Sequence, residues 1–325
     1  MTCVGVYNVS VIKGTFVVQN PDGDLLIFDV GGSHVAASVF ASPGLAVRPP
    51  ESALVSATTS LSEFMEVIGL LAERALRGRI FPSGVSVAIP NPFDYSLGVS
   101  YMQHKYKYLY GIDLRREFSR LLNCPPNRIN FLNDAAAFLM GEIQQGAGRD
   151  IHRVVGITLG TGVGSAFAIE GEILTKGPGV PSGGEIWNLP YRDGIVENYV
   201  SALAIQRIHE QNTGTSVSAE DIARSVVTRQ EARRTYEQFG TELGRVLRTT
   251  CIAFGPERII LGGGISRAAA HFIPSATHEL TGLPIQLEVS QLGERAALIG
   301  AAVNWMRKQN GMALPLEQNR TGAES

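Results

Sequence analysis

Cysteine is nearly absent from this chain. Cys3, Cys124 and Cys251 stand far apart among 325 residues, which leaves no disulfide framework and no close Cys/His spacing for a structural zinc ion. So few unpaired thiols fit a reducing compartment, and the cytoplasm is the expected location. No apolar run is long enough for a membrane helix, and the start of the chain lacks the charged and apolar regions of a secretion signal, so no membrane partner is expected. An excess of one charge is missing too. Against 28 Lys and Arg stand 30 Asp and Glu, a net charge of −2 with no basic stripe, which argues against nucleic acid as a partner. The length suits two domains, and a hydrophobic share of 44% supplies two cores.

What the chain does have is glycine in telling places. Two glycine-rich turns sit inside apolar strand patterns, LIFDVGGSHVAASVF from Leu25 and VGITLGTGVGSAFAI from Val155. A tight reversal between strands calls for positive φ, and a bound phosphate calls for close backbone approach; Gly31, Gly32, Gly160, Gly162 and Gly164 are expected to serve both needs. Successive backbone N–H groups in such a turn form a concavity for an anion, to which Ser33 and Thr161 add hydroxyl donors. Neither turn is followed by lysine or by a helical pattern, which removes the Walker A and Rossmann readings. One such turn is an ordinary hairpin. Two in the same setting point to a duplicated fold that offers a nucleotide two phosphate-binding hairpins.

Asp29 ends the apolar run Leu25 to Phe28, at the mouth of a strand beside the first turn. A carboxylate there suits Mg²⁺, which keeps several waters and uses one or two protein carboxylates with the phosphates; the alternative is an aspartate that only initiates the turn. A third cluster, Gly262-Gly263-Gly264, follows an apolar strand and precedes a helix start near Ser266. It reads either as a smooth floor for an adenosine ring or as a close-packed strand-to-helix turn. Asn133-Asp134 closes the short strand Ile129 to Leu132 and opens the helical pattern from Ala135 to Glu142. Either the pair is a double cap, or one suffices as a cap and the other is left for chemistry, a carboxylate at a helix start being held as the anion, ready to accept a proton from an alcohol. Between Gly177 and Gly194 the chain is rich in glycine and proline; Glu185 and Asn188 there, with Glu197 just beyond, are either ordinary surface loop polarity or polar groups of the kind that hold vicinal hydroxyls.

The succession DVGGS, VAIPNPFD, FLNDAAAFLMGE, TLGTGVGSAF, GGEIWN, IILGGGIS and ALIGAA resembles the ROK family of sugar kinases and regulators, close to its glucokinase-like members, from about Leu25 to Trp305. The resemblance implies an α/β fold of two duplicated actin-like ATPase (ribonuclease H-like) domains with a nucleotide and sugar cleft between them. It implies an ATP- and Mg²⁺-dependent kinase that phosphorylates a hexose, glucose first, at the 6-hydroxyl; the alternatives are a kinase of an N-acetylated hexosamine, mannose or fructose, or a sugar-binding regulator of the same family. Asp134 then matches the general base and Asn133 a contact to a neighbouring hydroxyl, while Glu185 and Glu197 match the two glutamates that grip the ring. Gly31, Gly32 and Ser33 match the first phosphate turn, Gly160, Thr161 and Gly162 the second, and Gly263 and Gly264 the adenosine floor. Members of the family commonly form homodimers or homotetramers. Its regulators carry a helix-turn-helix domain ahead of the first phosphate turn, and the two dozen β-like residues here cannot hold one.

This sequence departs from the family in two places. Most members have Gly-Glu-x-Gly-His followed by a cysteine-rich zinc site, whereas here Trp187 replaces the second glycine, Asn188 stands at the histidine position and no cysteine cluster follows. No structural zinc is expected. Asn188 can still exchange a hydrogen bond with a sugar hydroxyl, so the changed contact bears on which sugar is used. His104 and Lys105 lie where the family places another sugar contact, without the usual asparagine; they reach the sugar or belong to a solvated charged face.

The expected organisation is a small domain over residues 1–132, a large domain over 133–293, a helix over 294–309 that returns to the small domain, and a disordered polar tail over 310–325. An added hairpin precedes the first turn, with strands in Val4–Val11 and Thr15–Val18 and a turn at Pro21–Gly23. Helices are expected at Leu61–Arg77, where Phe64, Ile68, Leu71 and Ala75 recur at three-to-four spacing, at Ala232–Ala253, and after the capping box at Ser218.

Overall fold

The computed structural model describes residues 9–12, 15–18, 24–40, 48–56, 59–78, 82–103 and 106–309. Cys3, the turn at Pro21–Gly23, His104, Lys105 and the tail from 310 lie outside the described residues. The chain forms two compact units, residues 1–144 with 294–325, and residues 145–293.

In the first unit, β1 (Val9–Ile12) and β2 (Thr15–Val18) form an antiparallel hairpin. Then come β3 (Leu25–Val30), β4 (His34–Phe40), β5 (Glu51–Leu54), α1 (Leu61–Leu76) and β6 (Gly84–Ile89). A two-residue ribbon of β7 (Phe93–Asp94) and β8 (Val99–Ser100) precedes α2 (Leu114–Leu122), β9 (Ile129–Asn133) and α3 (Asp134–Gln145). The sheet has the order β5-β4-β3-β6-β9, with β3, β4 and β5 antiparallel and β6 and β9 parallel to β3. Continuous apolar sequence makes the central strands: every residue of β6 and five of the six in β3 are buried, as in a sheet covered on both faces. The start of α1 follows from Ser60 and Glu63, whose side chains each accept the other's backbone N–H, at 3.2 and 2.7 Å. Such a cap contributes about 1 kcal/mol. Phe64, Ile68, Leu71 and Ala75 all face the core.

The second unit repeats this plan. Strands β10 (Arg153–Leu159), β11 (Val163–Ile169) and β12 (Glu172–Leu174) form a meander, and a small ribbon of β13 (Pro190–Tyr191) and β14 (Gly194–Ile195) follows. Next are α4 (Ala202–Thr213), α5 (Ala219–Ser225), α6 (Gln230–Thr250), β15 (Arg258–Gly262), α7 (Ile273–Glu279) and β16 (Gln286–Val289), before α8 (Arg295–Gln309) rejoins the first unit. The sheet order, β12-β11-β10-β15-β16, places three antiparallel strands and two parallel ones as in the first unit. The duplication implied by the paired glycine turns is therefore a duplication of topology. Ser218 caps α5, accepting the N–H of Asp221 at 3.1 Å. Where a helix was expected from Ser266, a 3₁₀ run over Gly264–His271 intervenes before α7.

Helices cross at glycines in both units. A Cβ on Gly300 of α8 would lie 1.7 Å from the Ala137 carbonyl oxygen of α3, and one on Gly141 of α3 would lie 2.0 Å from the Ala296 carbonyl oxygen of α8. In the second unit, a Cβ on Gly240 of α6 would lie 2.2 Å from the Phe272 carbonyl oxygen. The crossing of α3 and α8 moves the unit boundary from the expected 132/133 to 144/145: α3 packs backbone to backbone on the returning helix, so it divides with the first unit. Helix α8 also seals the sheet. The Ser86 hydroxyl of β6 donates to the Ala301 carbonyl at 2.8 Å, and the Trp305 ring lies over Gly84.

Helix propensity alone makes alanine better than glycine in both α1 and α8. Packing separates them, because a Cβ on Gly69 would meet Leu121 at an ordinary 3.5 Å. Gly69→Ala is expected to stabilise the protein by roughly 0.5–1 kcal/mol, and Gly300→Ala to destabilise it by at least about 1–3 kcal/mol, both read from denaturant midpoints. Shifts in the same direction would contradict the crossing.

Candidate active site

In the first unit, Asp29 and Asn133 end parallel strands on either side of β6. Asp29 is in register with Ala88, and Ala88 with Leu132, so the two lie at the same carboxyl edge of the sheet, where α/β folds bind ligands. Asn133 is the cap of α3. Its Oδ1 accepts the N–H of Ala136 at 3.0 Å, and its Nδ2 donates to the Tyr95 hydroxyl at 3.3 Å. Asp134 is the first residue of the helix, half-buried, with one carboxylate oxygen accepting the N–H of Ala135 at 2.9 Å. Of this pair, asparagine does the capping, and aspartate stands in the positive end of the helix dipole.

Two carboxylates act on a third here. Burial raises the pKa of Asp29 to about 7, and the charges of Asp134 and then Glu294 add to the shift. Glu294, just before α8, was not singled out from sequence as a site residue; nothing local distinguishes it, and its place follows from the return of the chain. Tyr106 was missed as well. It is buried with a left-handed φ of 49°, and its hydroxyl donates to the Gly31 carbonyl in the first glycine turn. Burial, then the charges of Tyr108, Asp29 and Asp134, push the Tyr106 pKa up and keep the phenol protonated as a donor.

The glycine turns form, but not by the conformation expected. None of Gly31, Gly32, Gly160, Gly162 and Gly164 has a positive φ; the turns close with ordinary backbone angles. In the first, the Gly31 N–H donates to the His34 carbonyl at 2.9 Å, with Gly32 and Ser33 exposed. In the second, the Gly160 N–H donates to the Gly162 carbonyl at 3.0 Å, and Thr161 is exposed. A Cβ on Gly160 would meet no atom within 4 Å. That glycine keeps a space open, which suits close approach by a ligand.

Within the second unit the triple glycine meets the base of the second turn. Gly263 has φ +82°, and a Cβ there would lie 2.3 Å from the Leu159 carbonyl oxygen, one residue before Gly160. Gly264 is exposed, with nothing within 4 Å of the Cβ position. The first therefore serves packing, and the second leaves a surface open. Glu197 is tied to the same turn, its carboxylate accepting the N–H of Val163 at 3.0 Å. Glu185 lies half-buried in the preceding loop and accepts the indole N–H of Trp187 at 2.8 Å, while Asn188 is exposed.

The residues present fit Mg²⁺ bound largely through water. Among the described residues, no three His, Cys, Asp or Glu side chains stand close enough to hold an ion by themselves. Mg²⁺ does not need them, since one carboxylate such as Asp29 and the nucleotide phosphates suffice. Cys124 and Cys251 are both buried, one in each unit.

The ROK family model matches residues 26–308. The chain belongs to the ROK family. Among its relatives, a glucokinase of Thermotoga maritima is 26% identical over 324 residues, covering 87% of this chain and 97% of that one. An N-acetylgalactosamine kinase of a Shewanella species is 27% identical over 194 residues, 53% of this chain, and the match spans only 63% of that relative's length. Among solved structures, a ROK glucokinase from Streptomyces griseus in complex with glucose and AMPPNP superimposes with a TM-score of 0.74 at 21% identity, over 86% of this chain and 98% of that one. This likeness establishes the ROK fold, that of the actin-like ATPases, with its two related α/β halves. No helix among the described residues is long and apolar enough to cross a membrane.

The raised pKa of Asp29 carries a pH signature. An acid whose pKa is raised on folding binds its proton more tightly in the folded state, so stability falls as pH rises from the ordinary aspartate value near 4 towards 7. Asp29→Asn removes that dependence. In protein free of ligands and divalent metal, the melting temperature of Asp29→Asn minus that of the native chain is expected to be near zero at pH 4, to grow through pH 7 and to level off above it. A difference independent of pH would contradict the shift.

Proposed function

We propose that this chain is an ATP-dependent hexose kinase that transfers the γ-phosphoryl group to the 6-hydroxyl of a hexose, with glucose the first candidate. The observation that carries the reading is the division of labour at the start of α3: Asn133 caps the helix through its side-chain oxygen, which leaves Asp134 at the first helical position for chemistry.

In this reading Asp134 accepts the proton of the 6-hydroxyl as that oxygen attacks the γ-phosphorus and the bond to the bridging oxygen breaks, releasing ADP. Asp134 stands at the positive end of the α3 dipole. Asp29 would hold Mg²⁺ through water, and the ion would supply charge stabilisation at the phosphates. Backbone N–H groups of the turns at Gly31–Ser33 and Gly160–Gly162 receive phosphate oxygens, while Gly264, held in place by the close-packed Gly263, faces the adenosine. Glu185, Asn188 and Glu197 hold ring hydroxyls; Asn133, which retains one amide hydrogen beyond that given to Tyr95, donates it to a hydroxyl beside the reacting one. Catalysis in such a site is mostly positioning and charge stabilisation.

A coupled ADP-release assay with Mg²⁺ and ATP over glucose, mannose, fructose, N-acetylglucosamine and N-acetylmannosamine tests the proposal. Native protein is expected to turn over one sugar well above the others, and Asp134→Ala and Asp134→Asn to lower kcat by about 10²–10⁴, with sugar affinity held within a few-fold. Near-normal turnover by either variant would remove Asp134 as the base. No turnover of any sugar by native protein would count against the kinase itself.

A further inference from the structure

The loop that carries Glu185 is pinned on both sides by one buried serine. Ser165, on β11, donates its hydroxyl proton to the Gly184 carbonyl at 2.7 Å and accepts the N–H of Ile186 at 3.0 Å. The backbone before and after Glu185 is thereby fixed to the sheet. The direction of the glutamate side chain remains to be fixed, and the Trp187 indole N–H takes part in fixing it with a 2.8 Å hydrogen bond to Oε2. The same tryptophan acts a second time: its carbonyl accepts the backbone N–H of Glu197 at 3.0 Å. Glu197 in turn reaches Val163 at the edge of the second glycine turn. The indole is half-buried against the core of the second unit.

We propose that Trp187 is the positioning residue for the sugar-holding carboxylates: its indole N–H orients Glu185 and its carbonyl anchors Glu197. The proposal rests on the assignment of those two glutamates to the sugar. A carboxylate that already accepts an N–H presents its remaining lone pairs in a fixed direction, so sugar binding does not have to restrict that rotation. Loss of the indole donor then weakens the hold on the sugar and leaves the chemistry at Asp134 alone.

The test uses Trp187→Phe, which keeps an aromatic ring in the packing and removes only the donor. The chain has two tryptophans, so the Trp187 indole N–H signal of ¹⁵N-tryptophan-labelled protein is the one that this substitution deletes. In ligand-free protein that signal is expected to be protected from solvent exchange and to shift in Glu185→Gln, while the Trp305 signal stays in place. A freely exchanging Trp187 signal that ignores Glu185→Gln would overturn the proposal. In steady-state kinetics with the panel sugar that the native protein turns over fastest, Trp187→Phe is expected to raise KM about tenfold, with kcat changed less than threefold. An unchanged KM would overturn the proposal even though the native protein is a kinase. If native protein phosphorylates no sugar, the functional reading fails and the ligand-free spectra still decide whether Trp187 orients Glu185.

Discussion

The first unit depends on the close crossing of α3 and α8. Gly141 and Gly300 let the two backbones approach within a distance that any side chain would forbid. That contact ties a segment near residue 300 to one near residue 140, and it orients both helix starts. Asp134 opens one helix, and Glu294 immediately precedes the other. The carboxylates that raise the pKa of Asp29 are thus placed by a contact between backbones, made where apolar packing is tightest. A glycine crossing of the same kind, at Gly240 and Gly244 of α6, holds α7 in the second unit.

Concentrating negative charge at the carboxyl edge of a sheet destabilises the folded protein, and such a cluster persists where it serves a ligand. The buried Asp29 shares its proton with the solvent near neutral pH, whereas Asp134 has helix N–H groups beside it. Environment therefore separates two similar side chains, for which we propose two roles, a cation site at Asp29 and a base at Asp134. Tyr106 joins this arrangement from the opposite direction: its protonated hydroxyl fixes the carbonyl of Gly31 and so limits the freedom of the first turn.

Much of this was legible in the residues. Periodicity identified α1, continuous apolar runs identified β3 and β10, and Ser218 announced α5, because each signal is local. The paired turns indicated duplication, which the matching sheet orders display. Long-range contacts were not legible. Tyr106 meets a residue 75 positions away, and the attachment of α3 to the first unit depends on a helix more than 150 residues later. The glycine turns teach a narrower lesson: glycine there suggested left-handed backbone, yet the observed backbone angles are ordinary and at Gly160 it is space that the missing side chain leaves. Trp187 entered the sequence reading as a departure from the family pattern. Its hydrogen bond to Glu185 makes it a structural participant.

The central claim is that Asp134 directs phosphoryl transfer to a primary alcohol of the sugar. The most direct measurement is the ³¹P–¹H correlation spectrum of the product formed from ATP and glucose. Phosphorus coupled to both protons on carbon six is the predicted result. Phosphorus coupled to the proton on any other carbon, or inorganic phosphate as the only product, would contradict the account.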